Sequence, residues 1–451
     1  MAIWAPQASA RWRLTLTAIV GSALALALAA AAATDPFADV APAPARSADP
    51  FLTVTPATAP GRPENAPPAV PTGNGALDRF LSGNFTLKLE WMSQFAATDD
   101  AEDTEDVYSR QSAGFEVLKR FSTRTSTLAS VNLQGRFVRR DHFLPVINDM
   151  EGEDREGWYG ELHNAYIDVY NVFSPFLDDA AKGANIGRFN LRVGRFYLPF
   201  GLNLQTDTHG TLLQLSNDRN FGYERDWYAG FWGALNEHVN YDLYGMLGTG
   251  YDLAFRGQDG LVGGRLSLGG RYLQEYGLEG GFSAMVGERV SPHAWERSLS
   301  VREEAAEDEI IDTVRCGPDL RYTRMVPSGT LTGSTELSAG RDEADAVLTQ
   351  LYQLEYLNRS RRWGAAVQYR RFWQDFARNE DSRKATGKSP MGMDGDGDAA
   401  DSSLIGEVTW YFRNDIGNTT LHWLKLNVEQ QLERQYGDTA TVISVQYYRY
   451  W

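Results

Sequence analysis

Beyond about residue 80, apolar and polar residues alternate one for one along most of this chain. Phe85, Leu87, Leu89, Trp91 and Phe95 interleave with Thr86, Lys88, Glu90, Met92 and Gln94. Ala129, Val131, Leu133 and Phe137 interleave with Ser130, Asn132, Gln134 and Arg136. Similar runs recur at Val239–Leu243, Leu266–Leu268, Leu278–Val286, Trp363–Tyr369, Leu404–Phe412 and Thr441–Tyr447. A period of two places the two sets on opposite faces of a sheet. The longer runs match the ~9–11 residues of a tilted strand crossing a bilayer, with the apolar face to lipid and the polar face to a lumen. The clearest run, Arg188 to Gly201, puts Phe189, Leu191, Val193 and Tyr197 outward and Arg188, Asn190 and Arg192 inward, and ends in a Pro-Phe-Gly corner. Many such runs in series predict an all-β fold, a transmembrane antiparallel β-barrel of about 16 strands.

Parity of the strands predicts which connections are long. If the first strand rises from the periplasm, an outer loop follows every odd strand. The long polar stretches fall there: Ala96 to Val107, Asp141 to Trp158, Pro199 to Arg225, Arg289 to Val314 and Asp375 to Ser402. Connections on the other side are mostly short, such as Asn236-Glu237-His238 and Arg413 to Gly417. Val172 to Asn185 is the exception, a long connection on the periplasmic side.

The first part of the chain sets the compartment. Arg11 and Arg13 precede an apolar, Ala-rich run from Leu14 to Ala33 that ends in small residues. Residues 1–33 therefore read as a secretory signal peptide. No later run approaches the ~18 apolar residues of a spanning helix. Residues 34–78 are rich in Pro and Ala and lack apolar periodicity, which predicts a disordered periplasmic arm. The barrel then occupies residues 79–451.

Composition sharpens this picture. Gly (43), Tyr (21), Phe (21) and Trp (12) are plentiful, as aromatic girdles and tight turns require. The single cysteine, Cys316, has no partner for an internal disulfide. The net charge is −16, and loss of residues 1–33 removes two arginines and no acid. So acidic a chain is not built for nucleic acid. Only six of the 43 basic residues are lysines, with Lys88 and Lys425 the clear strand positions.

Four motifs then occur in order: "HNAYIDVYNVF", "NLRVGRFYLPFGLNLQTD", "NFGYERDWYAGFWGAL" and "NYDLYGMLGTG". Together they resemble the phosphate-selective porin O and P family of Gram-negative outer membranes, most closely from Leu162 to Gly250. The resemblance implies a 16-stranded, trimeric diffusion channel whose third outer loop, Pro199 to Arg225, folds inward and narrows the pore. Its constriction residues would be Asp207, His209, Asp218, Arg219, Glu224 and Arg225. Strand parity sets Arg136, Arg188, Arg192, Arg265, Arg321 and Arg370 opposite them on the lumen wall. Guanidinium groups in a water-filled pore lower the barrier to anions, and loop acids set up a field across it. An arginine that pairs with a neighbouring carboxylate would instead only stiffen the wall.

Three departures from the family matter. Lysine ladders are absent, and the outer loop "ATDDAEDTED" is acidic. The family's N-terminal helix also lacks a counterpart in the Pro-rich arm. The fold and channel role carry over, therefore, and phosphate specificity does not. The C-terminal strand ends on Trp451, similar to the aromatic signal read by barrel-assembly machinery, although the usual residue is Phe. The expected partners are outer-membrane lipid, that machinery and two further copies in a homotrimer.

Other chemistries are weaker. Asp394, Asp396, Asp398 and Asp401 space carboxylates along a Gly-rich loop, but positions six and twelve of a calcium loop are Ala399 and Ile405, so no metal is assigned. The six histidines, His142, His163, His209, His238, His293 and His422, sit in no nucleophile motif. The reading is of a passive channel for small hydrophilic solutes, with no catalytic residue and no cofactor. A plugged or partner-filled barrel is the alternative.

Overall fold

The structure, a computed structural model, describes residues 85–98, 107–122, 126–141, 158–185, 187–202, 211–213, 216–221, 223–250, 258–290, 310–342, 345–375, 398–415, 420–433 and 439–451. Sixteen antiparallel strands form one closed barrel. They are β1 (Phe85–Thr98), β2 (Val107–Ser122), β3 (Thr127–Asp141), β4 (Tyr159–Val169), β5 (Asn190–Tyr197), β6 (Arg225–Ala234), β7 (Val239–Met246) and β8 (Leu261–Leu268). Then come β9 (Leu278–Val290), β10 (Ile310–Val326), β11 (Gly329–Asp342), β12 (Asp345–Asn358), β13 (Trp363–Asp375), β14 (Asp398–Asp415), β15 (Thr420–Glu433) and β16 (Thr441–Tyr450). Each strand pairs with its sequence neighbours, and β1 pairs with β16. Leu89 and Trp451 exchange both backbone hydrogen bonds, at 2.9 and 3.0 Å, so the last residue helps close the ring. Closure removes the unpaired edges that an open sheet would leave in lipid.

The period-two reading sorts the two faces correctly over most of the wall. Leu87, Leu89, Trp91 and Phe95 of β1 are all exposed on the outside, as are Leu133 and Phe137 of β3 and Val408 and Trp410 of β14. The alternate residues Glu90, Met92, Gln94, Ser444, Gln446 and Tyr448 are buried on the inside. Cys316 is exposed, in register with Ala284 and Ala339 of the outer face. Four positions differ from expectation. Tyr197 is buried, because at the end of β5 its ring lies under the Arg225 guanidinium, 4.1 Å from the centroid. Lys119 also lies on a strand, β2. Asp398 and Asp401 belong to β14, which lifts them out of the acidic loop, and Asp401 is buried. Asp394 and Asp396 lie outside the described residues.

Strand parity also orders the connections. One end of the barrel carries the turns after even strands, including 235–238, 327–328 and 359–362. The other carries the loops after odd strands, of which 198–224 is described in greatest part. Residues 343–344 are an exception: β11 and β12 are joined at the loop end by two residues only. The long turn-end connection at 170–189 is structured. A 3₁₀ turn, Ser174–Phe176, leads to helix α1 (Asp179–Ala184), capped by Asp178, whose carboxylate accepts the Ala181 amide at 2.6 Å.

Candidate functional site

The lumen is crossed by the loop between β5 and β6. It leaves β5 at Leu198, whose amide donates to Glu224 O at 2.8 Å, so the two stems of the loop pair before it turns inward. Phe200 and Gly201 then lie against the inner faces of β9 and β11. The Gly201 amide donates to Ser283 Oγ at 3.1 Å. The loop contains a second helix, α2 (Ser216–Phe221). Leu198, Phe200, Phe221 and Tyr223 of the loop bury themselves against Tyr228, Tyr244, Met246, Leu261 and Met285, which face inward from β6 to β9. An apolar cluster inside a polar lumen is what fixes the loop to this wall: each buried large side chain contributes about 1.5–3 kcal/mol. Burial pushes the Tyr223 hydroxyl well above the ordinary tyrosine range, so it stays protonated.

The loop also reaches the far wall. Leu213 packs on Ala366 of β13 and Ile405 of β14, and Asn427 Nδ2 of β15 donates to Leu212 O at 3.4 Å. Asn220 accepts from Ser338 of β11 at 2.6 Å and Thr349 of β12 at 2.8 Å. The last carbonyls of α2 are then held by two buried arginines. Arg289 Nη1 donates to Phe221 O at 2.6 Å, and Arg315 Nη2 to Asn220 O at 3.4 Å. Both guanidiniums pair with Asp342, at 3.1 and 2.6 Å, and Thr313 Oγ1 donates to the same carboxylate at 2.7 Å. Cations at the end of a helix satisfy carbonyls that lack intrahelical partners. None of Arg289, Arg315 and Asp342 was a sequence candidate, and only the inward parity of their strands could have flagged them.

Of the expected wall arginines, Arg136, Arg192, Arg265, Arg321 and Arg370 lie on inward-facing strand positions. Arg188 does not: it stands in the turn ahead of β5, where its Nη1 donates to Asn185 Oδ1 at 3.3 Å. The strand begins two residues later, because the Gly187 turn still carries the chain there. Arg136 donates through Nε and Nη2 to Glu90, which also accepts from Tyr448 Oη at 3.0 Å. A bulge in β4 turns His163 into the lumen beside it. His163 Nε2 lies 2.9 Å from Glu161 and Nδ1 lies 2.9 Å from Arg136 Nη1. A ring protonated on Nε2 satisfies both contacts. Arg192 pairs bidentately with Asp168 at 2.7 and 2.9 Å and lies over the rings of Phe196, Tyr166 and Trp232. Arg265 pairs with Asp319 at 2.5 and 3.2 Å, and Arg321 with Glu279 at 3.4 Å. Arg370 Nη2 donates to Ser403 Oγ at 3.2 Å.

The loop candidates divide. Glu224 and Arg225 pair with each other at 3.0 Å, and Arg225 Nη2 also donates to Tyr197 Oη at 2.6 Å. Asp218 and Arg219 lie on α2, with side chains outside the described residues, and Asp207 and His209 lie outside them altogether. On the wall, Lys425 pairs with Glu407 at 3.0 Å. Asp242 faces inward between Trp232 and Arg265 and accepts no hydrogen bond among the described residues. Among the described residues, Arg136, Arg192, Arg265, Arg321 and Lys425 are therefore paired with acids rather than standing as a strip of free cations.

Gly201 offers a direct test of the docked loop. Its φ is +69°, a left-handed conformation that a side chain strains, and a Cβ there would press on the Glu336 carboxylate, which can shift. Gly201→Ala is expected to lower the unfolding midpoint in urea by the equivalent of about 1–3 kcal/mol, from backbone strain. An unchanged midpoint would show that the loop does not hold this conformation.

No protein-family model matches the chain, and no curated protein matches it. Solved structures do. Over 84% of this chain and 96% of the other, the fold is similar to that of OprB from Pseudomonas putida in its high-pH structure, with a TM-score of 0.54 and 10% identity. An anion-selective porin from Comamonas acidovorans is similar over 81% of this chain and 99% of its own, with a TM-score of 0.49 and 9% identity. The outer membrane channel DcaP of Acinetobacter baumannii gives 81% and 96%, a TM-score of 0.48 and 8% identity. At such identities the likeness to OprB is one of fold: a closed 16-strand barrel of the outer-membrane porin type.

Proposed function

We propose that this chain is a passive diffusion channel of the bacterial outer membrane for small hydrophilic solutes, narrowed by the loop at 198–224. The observation that carries this reading is the loop itself, seated inside a closed barrel whose outer face is apolar and whose inner face is polar. Residues 1–33 would export the chain, residues 34–78 would lie in the periplasm as an arm, and the strand ending on Trp451 would guide insertion. A homotrimer is the assembly proposed.

Preference for anions such as phosphate finds little support in the wall. Arg136, Arg192, Arg265, Arg289, Arg315 and Arg321 each bond a carboxylate, so little positive field is left over for a passing anion. The reading is of weak charge selectivity. Planar-bilayer recording under a salt gradient tests both parts. The expected result is steady single-channel conductance with a reversal potential near zero. A strongly anionic reversal potential would overturn the pairing argument.

A second reading, a plugged barrel, draws on one observation: the loop touches both walls, and Arg136, Gln446 and Ser403 are almost wholly buried. Folded, membrane-inserted protein without conductance would favour it.

A further inference from the structure

Past Tyr170, whose ring turns inward to Ser130 and Trp232, the long turn-end connection is firmly built. The Asn171 amide donates to Asn190 Oδ1 at 3.1 Å, and the Gly187 amide to Asn171 Oδ1 at 2.6 Å. The Val172 amide donates to Phe189 O at 2.9 Å, so the two stems pair. Asn171 takes φ of +52°, a left-handed conformation that an asparagine tolerates and a β-branched residue does not. This bracing presents aromatic rings on the outside of the barrel. Phe173 stacks on Phe231 with centroids 5.9 Å apart and meets Phe189 edge-on at 5.4 Å. Phe189 in turn meets Tyr241 at 6.5 Å, and Tyr241 Oη donates to Arg188 O at 2.8 Å.

Phe231 belongs to the outer face, in register between Leu191 and Leu243, and Leu243 is among the most exposed residues of that face. The rings of the connection thus continue the lipid-facing surface past the ends of β5 and β6. Beyond them Phe176 projects with 83% of its surface free. Asp178 and Asp179 follow at once and are exposed, with Lys182 paired to Asp179 at 3.0 Å. An apolar ring next to a charged helix start, at the margin of an apolar belt, has the composition of a bilayer interface.

We propose that residues 171–185 form a foot that rests in the bilayer interface at the turn end, with Phe173 and Phe176 inserted among glycerol and upper acyl groups and α1 held in the headgroup layer. The occupant is phospholipid. One projecting ring beside two carboxylates is too small a surface for a stable contact with a second copy. Continuity with the outer face places the patch against the membrane rather than over the lumen.

The test uses the full chain with Cys316→Ser, reconstituted into vesicles of zwitterionic phospholipid and spin-labelled at Phe176→Cys. Leu243→Cys in the same background gives the lipid-facing standard, and Phe173→Cys gives a second position within the foot. Oxygen and a water-soluble nickel chelate are the two relaxing agents. Labels at 176 and 173 are expected to be relaxed by oxygen in preference to nickel, on the side of the Leu243 standard. Preferential relaxation by nickel would place the foot in water and overturn the proposal. Protection from both agents, with dipolar broadening between labels, would put another copy over the foot and overturn it equally.

Discussion

Asp342→Ala is expected to free the inward loop and raise single-channel conductance, with frequent transitions between levels in place of one steady state. The reason lies in what the substitution leaves behind. Arg289 and Arg315 are 1% and 0% exposed, and their shared counter-charge is Asp342. Breaking a buried ion pair by removing one partner costs about 3–5 kcal/mol, because the remaining charge stays desolvated. Two guanidiniums then repel with no carboxylate between them, where Asp342 had offset one of their two charges. The barrel wall cannot relieve this, since its strand ladder is continuous. The loop can, because these arginines hold α2 by hydrogen bonds to the carbonyls of Asn220 and Phe221 and by the Arg289 guanidinium over the Phe221 ring, and not by pairing into the ladder. Asp342→Asn should lie between the two, as it keeps an acceptor for Thr313 and loses the charge. If conductance and urea midpoint in Asp342→Ala match the unsubstituted protein, the clamp does not set the position of the loop. In a barrel that is plugged, the same substitution should convert silence into conductance.

Much of this architecture was legible from alternation alone, and the failures share a cause. A period of two reports which residues share a face and takes apolar to mean outward. That holds at Leu87, Trp91 and Phe137, which are exposed on the outer face. It fails at Tyr228, Tyr244, Met246, Leu261 and Met285, which are apolar and face inward. They do so because a loop brings its own apolar side chains to meet them. No local pattern can announce a cluster whose other half lies elsewhere in the chain. The resemblance that implied an inward loop gave its existence and not its docking. The residues that dock it, Asn220, Arg289, Arg315 and Asp342, come from four separate segments. Connection 170–189 escaped for a related reason. Its length marked it, but its bracing by Asn171 and Asn190 is a tertiary matter.

Charge was legible residue by residue and illegible as pairs. Parity placed Arg136, Arg192, Arg265, Arg321 and Arg370 on inner-facing positions. It could not say that Glu90, 46 residues before Arg136, and Asp319, 54 residues after Arg265, would bond them. Arg188 went astray by two residues, since an Arg-Phe-Asn sequence alternates equally well in a turn that feeds a strand. A wall of pairs stiffens the barrel and leaves little net field, whereas a wall of free arginines would draw anions. The distinction rests on registers between β1, β2 and β3 and between β8, β9 and β10 that the sequence leaves open.

That distinction can be measured at the best connected pair. Glu90→Gln is expected to shift the reversal potential under a salt gradient toward anions. The amide keeps the shape of the side chain and an acceptor for Tyr448, but the carboxylate charge that Glu90 sets against Arg136 is removed. Arg136→Gln should shift it in the opposite direction, because the guanidinium charge that offsets Glu90 is then gone. Each single change removes one partner of a buried pair and should cost about 3–5 kcal/mol in urea unfolding. The double substitution should lie close to the parent in both readouts, since the interaction that each single change breaks is absent from it. Additive shifts in the double variant would mean that the two residues act on ions independently. The same selectivity in all three proteins would place the pair outside the path of the ions and leave it a purely structural tie between β1 and β3.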